Sequence, residues 1–569
     1  MGLISSALQI GRSALLSYQS ALQVVGNNIS NVGTEGYTRQ SPVLTPATGV
    51  VLPEGYTPGG GVTLSALRRN VDESLEDRIR VALGDQADSL IQQQALGRIE
   101  STMNELSDND LSSLLQSFFN AFSDLQNQPQ DVGARTTVVT AGDTLAREIQ
   151  RQRTDVLAQR SELNQQLQDT AIRADEIASE VAGLNVQIAG AESGGKGGAN
   201  SLRDQRDTLL RELGGLVQIE VREQPNGAIN VYIGNEPLVQ GNLSRGLVTT
   251  LETVDGNPSV VVRFADNNSP ITMRGGQMAG LVAARDEHVL GQVDLLNGLA
   301  SAIIKEVNKV HAQGQGLAGF TDVTGTYAVG DPDAALNSTR AGLDLAPGNG
   351  SFLLSVADQT TGISKTFTIT VDLDGIGTDE SLNSLVAQIN SKVTGVTATA
   401  TGDNRLRLTA DAGSEITFAE DSSNVLAALG INTFFTGRDA QDMAVSSEVS
   451  QNVRLVAAAT QGTPGDGSNA ARLAALGDET LPNLQNQSLN GFYNAIVSNV
   501  AVKGSAAQSS VEAADAINQS LQAQRESISG VSLDEETIAL LRLERAFQGA
   551  ARYTTTVDSL LQEVLLLVR

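Results

Sequence analysis

Few residues in this chain combine the type and spacing that chemistry needs. There are 2 histidines and no cysteine, which excludes thiol catalysis, disulfides and thiolate-bound metal. His288 and His311 belong to no metal-spaced motif. His288 follows Arg285-Asp286-Glu287, so a solvated position on a charged helix face is expected. Gly194-Gly195-Lys196-Gly197-Gly198 lacks the spacing and the following hydroxyl of a phosphate-binding loop, and reads as a turn. Asp372, Asp374, Asp379 and Glu380 form the most acidic loop, but Ile376 occupies the third ligand position of a calcium loop. A turn is expected there, with Thr378 or Asp379 capping the next helix; a weak cation site is the alternative. Asn28-Ile29-Ser30 fits a glycosylation sequon, yet it lies inside an apolar helical stripe. No nucleophile pairs with a base. The chain is expected to have no catalytic residue, no cofactor and no metal, and not to be an enzyme.

The elements that hold these residues say more. The chain has 569 residues, enough for two to four domains. Aromatic residues are 3% with no Trp, so cores must be aliphatic. The charge balance, 38 − 65 = −27, makes nucleic acid and anionic membranes poor partners. The first 34 residues carry one charged side chain, Arg12, and have no basic start or continuous apolar run. They do not read as a cleaved signal peptide, and no stretch is long enough to span a bilayer.

Both ends carry narrow apolar stripes. Ile4, Leu8, Gly11, Leu15, Tyr18, Leu22, Val25, Ile29 and Val32 recur at spacings of four and three, as in a coiled-coil seam. Gly33-Thr34-Glu35-Gly36 ends that helix. Leu540, Leu543, Phe547, Ala550, Thr554, Val557, Leu561, Val564 and Val568 repeat the spacing at the other end, after a start capped by Ser532 or Asp534. Ile4, Leu8, Leu15, Leu22, Val25, Ile29, Leu540, Phe547, Val557, Leu561 and Val564 are the expected assembly interface. Each stripe is expected to be partnerless, and so disordered, in the isolated monomer. Leu22 and Phe547 lie mid-stripe, where burial should be deepest.

Between the ends, Leu111–Leu125 and a stripe from Leu145 to Ala191 predict further helices; the second, if helical from about residue 133 to 192, spans roughly 90 Å at 1.5 Å per residue. Pro225-Asn226-Gly227 between Val217-Ile219-Val221 and Ile229-Val231-Ile233 predicts a hairpin. Val260–Phe264 reads as a strand and Val289–His311 as a helix. Residues 313–350, rich in Gly, Asp, Thr and Pro, read as a linker. Phe367–Val371 and Arg405–Thr409 read as strands, Leu382–Ile389 and Val425–Leu429 as short helices.

One stretch then goes beyond pattern. Asn27-Asn28-Ile29-Ser30-Asn31-Val32-Gly33-Thr34-Glu35-Gly36-Tyr37 resembles the N-terminal signature of the flagellar rod, hook and hook-associated proteins. Thr38-Arg39-Gln40 is similar to the hook-associated members at the hook–filament junction. Asn200–Asp207, Asn308–Gly314, Phe434–Gly437, Gly530–Glu536 and Thr556–Leu560 resemble further segments of those members. Glu35 stands where the family often has Pro, and Val564–Arg569 is more apolar than usual.

The resemblance implies a structural component of the bacterial flagellum, exported without a cleaved peptide by the flagellar type III route and located outside the cell. It implies hook protein, hook-associated protein 3 and further copies of the chain as partners, and an export chaperone on the C-terminal helix. A hook or rod protein, and an adhesin or enzyme in the inserted part, are the alternatives. The expected fold is α+β and multidomain, with long terminal and inner helices in coiled-coil-like bundles (the axial part) and a β-rich inserted outer domain. The expected parts are 1–50 with 525–569, 51–325 with 465–524, and the insertion 326–464.

Overall fold

The computed structural model describes residues 2–49, 59–103, 110–193, 198–254, 256–463 and 465–567. Its helices, in chain order, begin with α1 (Gly2–Ser30), α2 (Glu73–Met103), α3 (Leu111–Asn127) and α4 (Val132–Glu192). Next come α5 (Asn200–Leu216), α6 (Gln277–Ala283), α7 (Leu290–Ala312), α8 (Leu382–Lys392) and α9 (Val425–Leu429). α10 (Ser447–Gln451), α11 (Ser468–Ala475), α12 (Leu489–Ser529) and α13 (Leu533–Leu567) complete the series. No described helix is long and apolar enough to cross a membrane. The glycine-rich turn at Lys196 lies outside the described residues.

The contacts divide the chain into two compact units: Met1–Gln94, Glu162–Arg285 and Ser505–Arg569 in the first, Ala95–Ser161 and Asp286–Gly504 in the second. This division cuts across the three parts expected from sequence. Residues 326–464 fall wholly within the second unit, and 51–94 and 162–285 join the termini.

In the first unit, α1 packs on α13 and on a hairpin of β1 (Gln40–Pro46) and β2 (Val62–Arg69). The stripes therefore find each other within one chain, and the expectation that each lacks a partner in the monomer does not describe this structure. Leu75, Ile79 and Ala82 of α2 form a core with Leu521 of α12. The predicted hairpin around Gly227 is present (Glu220–Glu223 with Ile229–Ile233), and Gly227 adopts the left-handed φ of +82° that favours glycine. Two buried asparagines of α4 hold strands to that helix. Asn164 accepts from Val260 N at 3.1 Å and donates to Pro258 O at 3.0 Å. Asn185 donates to Ile229 O at 2.9 Å and Gly241 O at 2.6 Å.

The second unit is built on an aromatic cluster. Phe118, on α3, meets Phe122, Phe434 and Phe435 with ring centroids 5.3–5.5 Å apart. This concentrates much of the chain's small aromatic content in one place. Strand Gly350–Asp358 lies between Ser364–Val371 and Ser414–Ala419; a second sheet joins Val396–Ala400, Leu406–Ala410 and Asp322–Thr324. Residues 313–350 are thus no linker. Asp322–Thr324 is a sheet edge, Phe320 bridges to Ile416, and Val329, Leu336 and Ala341 are buried. The helix after the acidic loop is capped by Ser381, not Thr378 or Asp379, through a reciprocal bond with Ser384.

Candidate assembly interface at the paired termini

α1 and α13 run antiparallel. Asn28 bonds Glu536 near one end of the pair, and toward the other the Cα hydrogen side of Gly11 faces Thr554, where an added Cβ would sit 2.4 Å from the Thr554 Oγ1. Gly11 is therefore in the seam because nothing larger fits. Its neighbours at three- and four-residue spacing supply the apolar contact.

The seam residues are not equally buried. Val25 and Val557 are buried, at 3% and 7% exposure. Leu8, Leu15, Leu22, Ile29, Leu540, Phe547 and Leu561 are half-buried, and Val564 is exposed. The side chain of Ile4 lies outside the described residues. Burial at Leu22 and Phe547 is thus shallower than their mid-stripe position suggested. A two-helix pair covers only one side of each seam side chain, and a third surface is needed to cover the rest.

Sequence reading missed a second face of α1. Ser17, Ala21, Val24 and Asn28 are buried, and Ser17 Oγ donates to Val62 O of β2 at 3.1 Å. The alternation Ser17-Ala21-Val24-Asn28 was the available signal, hidden because half of it is polar.

At the end of α1 the signature residues form one hydrogen-bonded junction. Asn28, 1% exposed, donates from Nδ2 to Gln40 O at 2.9 Å and to Glu536 Oε2 at 3.0 Å. Its Oδ1 accepts from Gln40 N at 3.1 Å and from the Tyr37 hydroxyl at 2.7 Å. Each polar atom of the amide is used, which leaves no place for a glycan on the sequon. Arg39 donates to Glu536 at 2.7 Å and to Glu535 at 2.5 Å. Asn200 donates to the Gln40 side chain at 3.1 Å, and Thr38 N to Asp204 at 3.4 Å. Arg69 pairs with Asp207, and lies 2.9 Å from Asp204 without the alignment of a hydrogen bond. Three segments far apart in sequence, 27–40, 200–207 and 535–536, thus meet in one place.

The electrostatics follow from that burial. Tyr37 is pushed up to about 12, by loss of solvent first and then by Asp204 and Glu536. Asp204 is raised chiefly by burial, against the pull of Arg69. For Arg69, burial works against the charge, and Asp207 and Asp204 outweigh it, holding the guanidinium protonated.

The second unit brings together other quoted segments. Asn308 Oδ1 accepts from Phe434 N and Phe435 N at 3.0 and 2.9 Å, while its Nδ2 donates to Phe435 O at 2.8 Å. His311 is fully buried. It accepts from Ala457 N at Nε2 (3.0 Å), so its proton sits on Nδ1, 2.8 Å from Asn432 O. Burial pushes His311 down to about 4, with Arg135 adding to the effect. Both ring nitrogens are committed to backbone groups, so this histidine builds structure.

His288 and the acidic loop belong to neither junction. His288 is half-buried in a π-helical turn, Ala284–Val289, rather than solvated on a regular face; burial and Lys503 lower it. Asp372, Asp374 and Asp379 bring carboxylate oxygens within 4.8 Å of one another. Asp374 accepts from Ile376 N and Asp379 from Gly375 N, bonds that shape the turn.

Comparison with known proteins finds likenesses along the chain. Residues 96–325 match the family model "Flagellar hook-associated protein FlgK helical domain". Residues 8–38 match that of the flagella basal body rod protein, and 522–567 the flagellar basal body rod FlgEFG protein C-terminal model. Flagellar hook-associated protein 1 of Salmonella typhimurium is 27% identical over 99% of this chain and 100% of its own. That of Escherichia coli is 25% identical over 98% of each. Along almost its whole length this chain is similar to flagellar hook-associated protein 1. The family's likeness extends to structure. The flagellar hook junction protein FlgK from Burkholderia pseudomallei superposes with a TM-score of 0.53 at 18% identity, covering 80% of this chain and all of that one, which supports the α+β, multidomain fold. Residues 359–412 match the flagellin hook IN motif, a likeness that sequence reading did not detect.

Proposed function

We propose that this chain is a structural subunit of the hook–filament junction, joining neighbours through its paired terminal helices and performing no reaction. The observation that carries the reading is the seam itself. Its side chains are paired yet half-buried, in a chain whose relatives along the whole length are hook-associated proteins. Outside the seam, Ile538, Leu541, Leu560 and Leu566 of α13 are exposed. Apolar surface of this kind marks a site of association, and repeated copies in a ring, with hook protein on one side and hook-associated protein 3 on the other, would cover it. Export through the flagellar type III route, with a chaperone on the C-terminal helix beforehand, belongs to the same proposal, as does a final location outside the cell. So does the axial role of the terminal helices, with the β-rich part of 326–464 facing outward.

The test is in cells. Leu22→Asp or Phe547→Asp places a carboxylate in the seam, where an unpaired charge is strongly disfavoured. The expected result is complete hooks, no attached filament and flagellin lost to the medium, while the variant is still secreted and its second unit melts normally. His288→Ala and Asp374→Ala should leave filaments intact. Wild-type filament assembly by the seam variants would remove the seam as the joining surface.

A further inference from the structure

A seam of apolar residues at three- and four-residue spacing repeats every seven residues, so it fits its partner nearly as well after a one-heptad slip. Something else must choose among the registers. Asn28 and Glu536 are buried polar residues on the facing helices, 1% and 2% exposed, and their side chains bond at 3.0 Å. Neither is an isolated buried pair. Asn28 is also held by both backbone groups of Gln40, and Glu536 by Arg39 at 2.7 Å. Gln40 and Arg39 belong to the chain leaving α1, tied at Arg39 N to Ser529 O, just before α13 begins, at 2.9 Å. The bond therefore forms only when the end of α1 lies beside the start of α13.

We propose that Asn28 and Glu536 set the register and antiparallel alignment of the terminal helix pair, the polar contact excluding slipped pairings that the apolar seam would accept. A slip by one heptad moves Glu536 away from Asn28 by about 10 Å. It then takes the buried Glu536 carboxylate away from its amide donor and removes one partner of the buried Asn28 amide, a costly outcome for such groups. This inference rests on the pairing of the termini but not on the junction role. A polar residue in a helix seam fixing register at the expense of stability is a known physical device.

The absence of cysteine from the chain makes the test direct. Gln9 and Gln548 are exposed on the two helices. In the full-length protein, Gln9→Cys and Gln548→Cys carry spin labels, and the distance between them is measured by pulsed electron resonance. The parent should give one narrow distance. Asn28→Leu with Glu536→Leu should add at least one population displaced by several ångströms, since the heptad step shifts one label past the other by about 10 Å along the axis. Glu536→Gln, whose carbonyl oxygen can still accept from the Asn28 amide while the charge and the acceptor toward Arg39 are lost, should keep the single distance. An unchanged single distance in the double leucine variant overturns the proposal and leaves register to the Gly11–Thr554 contact. A broad distribution in the parent overturns it as well, since no fixed register would then exist. If the double leucine variant does not fold, Asn28→Ala alone must still broaden the distance, and a single distance there also overturns the proposal. Loss of filaments with an intact distance distribution would bear on the junction role alone.

Discussion

His311, one of the chain's two histidines, has both ring nitrogens spent on backbone, the N–H of Ala457 and the carbonyl of Asn432. Its folded pKa, near 4, is depressed below the unfolded value of about 6.5. The unfolded chain therefore binds the extra proton between those values, and stability falls as pH falls from about 6.5 toward 4, by up to roughly 3 kcal/mol. Thermal melts of the second unit should drop between pH 7 and pH 5. His311→Gln should be less stable at pH 7, and its melting should change less over that range. An equal pH response in the two proteins would remove His311 as the titrating group. Asn28 makes the same point in the first unit. Asn28→Ala removes the amide from the backbone groups of Gln40 and from one oxygen of the buried Glu536 carboxylate, at a cost of about 1–3 kcal/mol, and chemical denaturation with a probe in the first unit measures it.

At the scale of elements, Gly11 decides whether α1 and α13 can approach. Gly11→Val brings side-chain atoms into Thr554 and Tyr553, and overpacking of this sort costs about 1–3 kcal/mol. Limited proteolysis of the monomer should then cut residues within 1–30 and 535–565 that are protected in the parent. Unchanged protection would mean that the pair relaxes around the larger side chain. The second unit offers a similar close approach. A Cβ on Gly142 would lie 2.7 Å from the Phe434 ring, so Gly142→Leu should loosen α4 from the aromatic cluster and lower the melting temperature of that unit.

For the whole molecule, the boundaries of the inserted part change what a deletion can show. Cutting out 326–464 removes Phe434 and Phe435 from contact with Phe118, and Asn432 from His311. That deletion is expected to unfold the second unit rather than trim a free appendage. Circular dichroism of the deleted protein, set beside the parent, would show lost helix and a lost melting transition. A cooperative transition at the parent temperature would instead mark 326–464 as separable.

The sequence by itself determined the local elements whose periodicity is strong and the family they resemble. The stripes of α1 and α13, the long α4, the hairpin at Gly227 and the helix ending at His311 were legible because heptad spacing and turn chemistry act over a few residues. α2 was not legible. Its buried positions, Leu75, Glu76, Ile79, Arg80 and Ala82, mix charge with apolar residues, and Glu76 is buried only because Arg211 and Arg525 arrive from distant parts of the chain. The strands Gly350–Asp358 and Ser414–Ala419 were missed for a related reason, since strand pairing is decided by partners far away in sequence. Residues 313–350 have a linker's composition and became core edge through such pairing. Tertiary structure alone decided that these motifs are two buried polar junctions, because a hydrogen bond between Asn28 and Glu536, 508 positions apart, exists only once the intervening chain has folded back. Composition records which groups can bond, and the fold selects which of them are deprived of water and must.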